Sequence, residues 1–191
     1  MSGGPLVDVV VKVGGGLLAH PAHFDSVLAL LREAAGARRL LIVPGGGPFA
    51  DAVREVDRRF TLPDDVAHWM AVQAMDQYGM FLVSRLEAAE LVCDRAEISA
   101  ALERRRIPVL APLRWLREVD PLPHSWDVTS DSIAAWVAGA AGARHLVLVK
   151  PAGVGENAVD PYFHRALPAN MASTRVVAAD QLDVLRRCLA V

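Results

Sequence analysis

Leu6-Val7-Asp8-Val9-Val10-Val11-Lys12-Val13-Gly14-Gly15-Gly16 reads as a strand that runs straight into a glycine turn. Its apolar character is β-rich and nearly continuous, as expected of a strand covered on both faces. The same arrangement recurs from Arg39 to Val43, followed by Pro44 and Gly45-Gly46-Gly47. His145 to Val149 is a further buried strand, and it ends in Lys150-Pro151-Ala152-Gly153. Helical patterns fill the intervals. Pro21 opens one that carries Phe24, Val27, Leu28 and Leu31 on one stripe, and Gly36 ends it. A second starts near Pro48, and Pro63-Asp64-Asp65 begins a long one that runs to about Ala89. Beyond it lie a helix over Glu97 to Arg106, a short strand over Ile107 to Leu110 and a short helix over Leu113 to Val119. Thr129 and Ser130 are caps for a helix through about Ala141, and Asp180 to Leu189 closes the chain. Gly153 to Ser173 follows no clear pattern. Strands alternating with helices predict an α/β fold with a mainly parallel sheet between helical layers. Without a repeat or a linker, residues 1–191 are expected to form one compact domain.

Charge narrows the field of partners. The formal net charge of −2 gives no reason to expect nucleic acid or an anionic membrane surface. Arg104-Arg105-Arg106 ends a helix, where positive charge complements the macrodipole. Cys93 and Cys188 make no disulfide framework and have no metal-ligand spacing. No apolar run reaches the length of a membrane span and no signal-peptide pattern opens the chain, so a cytoplasmic setting is the default expectation.

Only two of the 20 basic residues are lysine, and both follow strand-like runs that lead into glycine-rich turns. Arginine is a planar fork, whereas lysine is a compact point charge on a flexible stem. A site that follows a moving phosphoryl group needs the second kind. The plain alternative is that two lysines are scattered in an arginine-biased composition. In open α/β sheets, ligands collect beyond the carboxyl ends of the strands, where Gly14 to Gly16, Gly45 to Gly47 and Lys150 should all lie. Glycine lets the backbone approach closely and turn N–H groups toward anionic oxygens. Two triplets and two lysines therefore suggest an anion cradle for more than one phosphate. Neither a P-loop nor a dinucleotide-binding fingerprint is present. Asp131, in Thr129-Ser130-Asp131-Ser132, is either a first-turn helix acid or an organiser of the lysine ammonium groups.

Lys12-Val13-Gly14-Gly15, Pro44-Gly45-Gly46-Gly47, Thr129-Ser130-Asp131-Ser132-Ile133-Ala134-Ala135 and Leu148-Val149-Lys150-Pro151-Ala152-Gly153-Val154 resemble the successive motifs of the amino acid kinase superfamily. That resemblance implies a three-layer αβα sandwich that transfers the γ-phosphoryl of ATP, with Mg2+, to a small-molecule acceptor. It implies that Lys12 and Lys150 stabilise the transferring group and that Asp131 holds them. By the same resemblance Gly14, Gly15, Gly16, Gly153, Asp160 and Tyr162 would serve the nucleotide. Gly45, Gly46, Gly47, His68, Gln73, Asp76, Thr129 and Ser130 would serve the acceptor. Trp126-Asp127-Val128 and Val159-Asp160-Pro161-Tyr162-Phe163 are most similar to the (aminomethyl)furanylmethyl phosphate kinase branch, in which a phosphate monoester becomes a diphosphate. For that acceptor's amine, Asp76 or Asp127 could supply a carboxylate. Other acceptors of the superfamily (uridylate, isopentenyl phosphate, a carboxylate) and a non-catalytic ATP- or oxyanion-binding role are the alternatives. A homo-oligomer is expected.

Overall fold

A computed structural model describes residues 5–155 and 158–190. Six parallel strands make one sheet: β1 (Val9–Val13), β2 (Leu40–Pro44), β3 (Ala89–Val92), β4 (Ile107–Leu110), β5 (His145–Lys150) and β6 (Ser173–Ala178). Their order is β3-β4-β2-β1-β5-β6. The chain leaves β1 toward β2 on one side and returns to β5 on the other. A crevice therefore opens beyond the carboxyl end of β1, the place where such sheets bind ligands.

Among the described residues, seven helices lie between strands and an eighth follows the last: α1 (Pro21–Ala35), α2 (Gly47–Phe60), α3 (Asp64–Arg85), α4 (Arg95–Glu103), α5 (Leu113–Val119), α6 (Ser130–Ala140), α7 (Phe163–Ala166) and α8 (Leu182–Leu189). A short 3-10 turn, Gly15–Ala19, follows β1. Side chains alternate across a strand, so each strand feeds two cores. Val10, Leu41, Leu110, Leu146 and Leu148 pack with residues of α4, α5, α6 and α7 on one face. Val9, Val11, Val13, Ile42, Val147 and Val149 pack with α1 and α8 on the other. The long helix α3 joins both, through Val72 and Met75 to the first core and through Tyr78 and Leu82 to the second.

The sheet register aims the lysines. Lys12 pairs with Leu148, so Lys150 stands two residues farther along the neighbouring strand. A two-residue offset preserves the face. Lys12 shares its side of β1 with Val10, and Lys150 shares its side of β5 with Leu146 and Leu148. Both therefore project from the sheet face that α6 covers.

Candidate active site

Three elements meet at the carboxyl end of the sheet. Asp131 sits in the first turn of α6 and is only 3% exposed, and Lys12 is 5% exposed. Lys150 Nζ donates to Asp131 Oδ2 at 2.5 Å, and Lys12 Nζ lies 2.9 Å from Oδ1. The second contact is an ion pair off the hydrogen-bond line, so Oδ1 has a neighbouring charge but no aligned donor. One carboxylate is thus shared by two ammonium groups, and the cluster carries one excess positive charge.

Burial lowers the pKa of Lys12; Asp131 opposes that shift and the Lys150 charge adds to it. For Asp131, burial alone would raise the carboxyl, but the attraction of Lys12 and then Lys150 overcomes it and holds the pKa below the usual carboxylate value. The acid stays ionised and keeps its lysines in place.

Main chain supplies the floor. A Cβ on Gly15 would meet the Gly47 backbone at 2.1 Å, and one on Gly45 would meet Gly15 N at 2.7 Å. The two glycine turns are therefore packed against each other, an approach that only bare backbone allows. Gly47 also takes a φ of +55° as it enters α2. Gly14 N–H donates to the Val149 carbonyl at 2.9 Å, and Gly45 N–H to the Val13 carbonyl at 2.8 Å. These bonds tie the turns to the strand ends.

Above the floor lies a cavity of about 330 Å³. Its walls include Lys12, Gly15, Gly16, Gly46, Gly47, His68, Thr129, Ser130, Asp131 and Lys150 from the sequence expectation. Two helical stripes complete it. On α2, Gly47, Ala50, Asp51 and Arg54 recur at i, i+3, i+4 and i+7; on α3, Asp64, Ala67, His68, Ala71, Val72 and Met75 do the same over three turns. Arg54 lies 5.0 Å from the Trp126 ring centroid and pairs with Asp51 at 2.8 Å. Trp126 in turn donates Nε1–H to Asp57 Oδ2 at 2.7 Å. His68 stacks on His124 with ring centroids 4.3 Å apart. Burial first, and then the neighbouring His124, push His68 down to about 4, so it is neutral near pH 7.

Several expected residues lie elsewhere. Gln73 is exposed and off the α3 stripe, because one residue turns a helix by about 100°. Asp76 is off it for the same reason. Its carboxylate accepts from Leu113 N–H at 3.1 Å, and burial pushes its pKa up to about 6. Asp127 is exposed and outside the walls. Asp160 is buried, both its oxygens accept from Thr129 and Ser132, and it is not among the cavity walls. Tyr162 donates its N–H to the Asp127 carbonyl and stands outside the cavity wall, as does exposed Gly153. Gly14 and Gly45 are bound into the strand ends rather than facing the cavity. The sequence reading missed Asp51, Arg54, Asp64 and Trp126; the i, i+3, i+4, i+7 stripe after the second glycine triplet was the signal for the first two.

Residues 9–152, from β1 through the turn after β5, match the model of the amino acid kinase family. The chain belongs to that family. A relative from Methanocaldococcus jannaschii, named (5-(aminomethyl)furan-3-yl)methyl phosphate kinase, is 28% identical over a 145-residue alignment that covers 73% of this chain. The chain spans 63% of the length of that curated relative. Among solved amino acid kinase folds, uridylate kinase from Archaeoglobus fulgidus superposes with a TM-score of 0.72 at 14% identity, covering 96% of this chain and 95% of that one. Aspartate kinase from Synechocystis superposes at 0.62 with 14% identity, over 89% of this chain and 39% of that one. The sheet, the helices and the parallel order are thus those of the amino acid kinase fold.

Proposed function

We propose that this chain is an ATP-dependent phosphotransferase whose acceptor is a small phosphate monoester, with aminomethylfuranylmethyl phosphate as the first candidate. The observation that carries the reading is the buried Asp131 carboxylate, which holds both lysine ammonium groups over paired glycine turns. Bringing two anionic phosphates together is the main obstacle in such a transfer. Two ammonium groups and fixed main-chain donors offset that repulsion where water is scarce. An oxygen of the acceptor phosphate forms the new bond to the γ-phosphorus, and the bond to the ADP oxygen breaks with its electron pair. The acceptor is largely ionised near neutral pH, so no general base is required. Neutral His68 in the wall is consistent with a positioning contact rather than proton transfer.

Lys12 and Lys150 would track the transferring group, while Gly15, Gly16, Gly46 and Gly47 would present backbone to its oxygens. Mg2+ would supply further charge neutralisation, held mainly by phosphate oxygens. That division fits the donor set, since among the described residues no group of three or more acidic, histidine or cysteine side chains is placed to hold a metal ion by itself. Ala67, Ala71, Val72, Met75, Val128 and Ile133 give the cavity an apolar side suited to a small ring. The wall carboxylates that could meet an amine are Asp51 and Asp64, in place of Asp76 and Asp127.

ADP release on adding acceptor to protein and Mg-ATP tests the reading. Aminomethylfuranylmethyl phosphate should be turned over faster than uridylate, isopentenyl phosphate or a carboxylate acceptor. Faster turnover of one of the others would reassign the acceptor. No ADP with any of them would leave a nucleotide- or oxyanion-binding protein.

A further inference from the structure

Asp160 is remote from the lysines in contact terms yet saturated with hydrogen bonds. Its Oδ2 accepts from Thr129 N–H at 2.9 Å, Thr129 Oγ1–H at 2.8 Å and Ser132 N–H at 3.0 Å. Its Oδ1 accepts from the Ser132 hydroxyl. These partners lie 28 and 31 positions away along the chain, and they bracket Asp131.

The pattern departs from ordinary helix capping. Thr129 is the N-cap of α6, and its own oxygen should accept from an N–H in the first turn. That contact is long, at 3.5 Å, while the Thr129 hydroxyl donates to Asp160 and the Ser132 N–H of the same turn also goes to Asp160. Asp160 has taken over the capping task from outside the helix. A negative charge at an N-terminus is also favoured by the helix dipole. The clamp is itself anchored: Phe163 N–H donates to the Asp160 carbonyl at 3.1 Å, and Phe163 is 2% exposed in the core.

We propose that Asp160 is a positioning residue for Asp131, fixing the first turn of α6 so that each Asp131 oxygen meets a different lysine. The assignment rests on the role given to Asp131 in the proposed transfer. Asp131 must present two oxygens to ammonium groups rooted in separate strands. A small rotation of the first turn of α6 would lengthen one contact as it shortened the other. Hydrogen bonds on both flanks remove that rotation. Asp160 touches neither lysine and does not line the cavity; its charge reaches Lys12 only as the smallest of several influences, so its main route to the lysines runs through Asp131.

The chain's two lysines provide a test independent of turnover, because labelling lysine with 13C at Cε gives two side-chain signals. Asp131→Asn should lower the titration midpoints of these signals. Asp160→Asn should lower at least one by about half a pH unit or more. Ser132→Ala, which removes one clamp bond without changing charge, should act in the same direction by less. In turnover, Asp160→Asn should lower kcat about tenfold with both KM values within about threefold, and the double variant with Asp131→Asn should be no slower than Asp131→Asn alone. Because Asp160→Asn also removes a charge that Lys12 feels directly, the charge-neutral variant decides: unchanged lysine midpoints in Ser132→Ala, with only a lower melting temperature, would reduce Asp160 to a structural cap. Multiplying kinetic effects in the double variant would also overturn the proposal. Should Asp160→Asn fail to fold, the Ser132→Ala titration decides. Should the wild type turn over no acceptor, the proposed reaction falls while the lysine titrations still decide the positioning role.

Discussion

The two ends of the cavity are built in opposite ways. At the inner end, Lys12, Asp131 and Lys150 are fixed by two central strands and one helix start, they are largely buried, and backbone forms the floor. At the outer end, Asp51, Arg54 and Asp64 are exposed side chains on α2 and α3, and Trp126 comes from the segment between α5 and α6. The inner end owes its geometry to the sheet register and cannot change without changing the fold. The outer end can be revised one side chain at a time. Reaction type should therefore reside in the first and acceptor choice in the second.

Substitutions can break that division. Lys150→Ala or Lys12→Ala should lower kcat by about a hundredfold or more, read by ADP release, because each removes charge that serves the transition state. Lys12→Ala should also cost about 3 kcal/mol of stability in urea titration, since it leaves a buried carboxylate oxygen without its partner charge. Asp131→Asn should be comparably slow; a loss below about tenfold would return Asp131 to the role of a first-turn acid at the helix dipole.

At the outer end the expected effects are smaller and of another kind. Trp126→Ala should raise the acceptor KM about tenfold while kcat stays within about threefold, the signature of lost ground-state binding. An equal loss in kcat would merge the two ends. His68 gives a pH test. Its folded value of about 4 lies below its ordinary 6.5, so the unfolded chain binds more protons between them. Its contribution to stability is complete above about pH 6.5 and is lost as pH falls toward about 4. Asp76, raised to about 6, works in the opposite direction over nearly the same window. His68→Gln should therefore flatten the acid-side loss in urea midpoints measured against pH. Smallest of all, Asp64→Asn should raise KM about threefold for an amine-bearing acceptor and leave its des-amino analogue unchanged, a difference set by one exposed charge.

The same contrast explains what could be read from sequence. The strands β1 and β2 are buried along their length and β5 between its polar ends, and all three spell nearly continuous apolar runs, so they and their glycine turns were legible. The sheet edges were not. β3 is Ala89-Glu90-Leu91-Val92, half-buried in its middle, and the sequence pattern carried the preceding helix to Ala89 although α3 ends at Arg85. β6 begins Ser173-Thr174-Arg175 at the opposite edge, where one polar residue is exposed and two are half-buried. An edge strand has a single paired neighbour and needs no apolar run to declare it. On α3, periodicity identified a helix but not which stripe faced the cavity, and Gln73 and Asp76 fell on the wrong faces. For Asp160, the local Asp-Pro motif pointed to a nucleotide, whereas its partners lie about thirty residues upstream and only the fold brings them together.

The central claim is that two ammonium groups sharing Asp131 act together on one phosphoryl group. A crystal structure with a non-hydrolysable ATP analogue, Mg2+ and aminomethylfuranylmethyl phosphate addresses it directly. The γ-phosphoryl oxygens should lie within about 3 Å of both Lys12 Nζ and Lys150 Nζ, with Asp131 still between the two. A γ-phosphoryl group bound away from this cavity, with both lysines engaged only by Asp131, would contradict it.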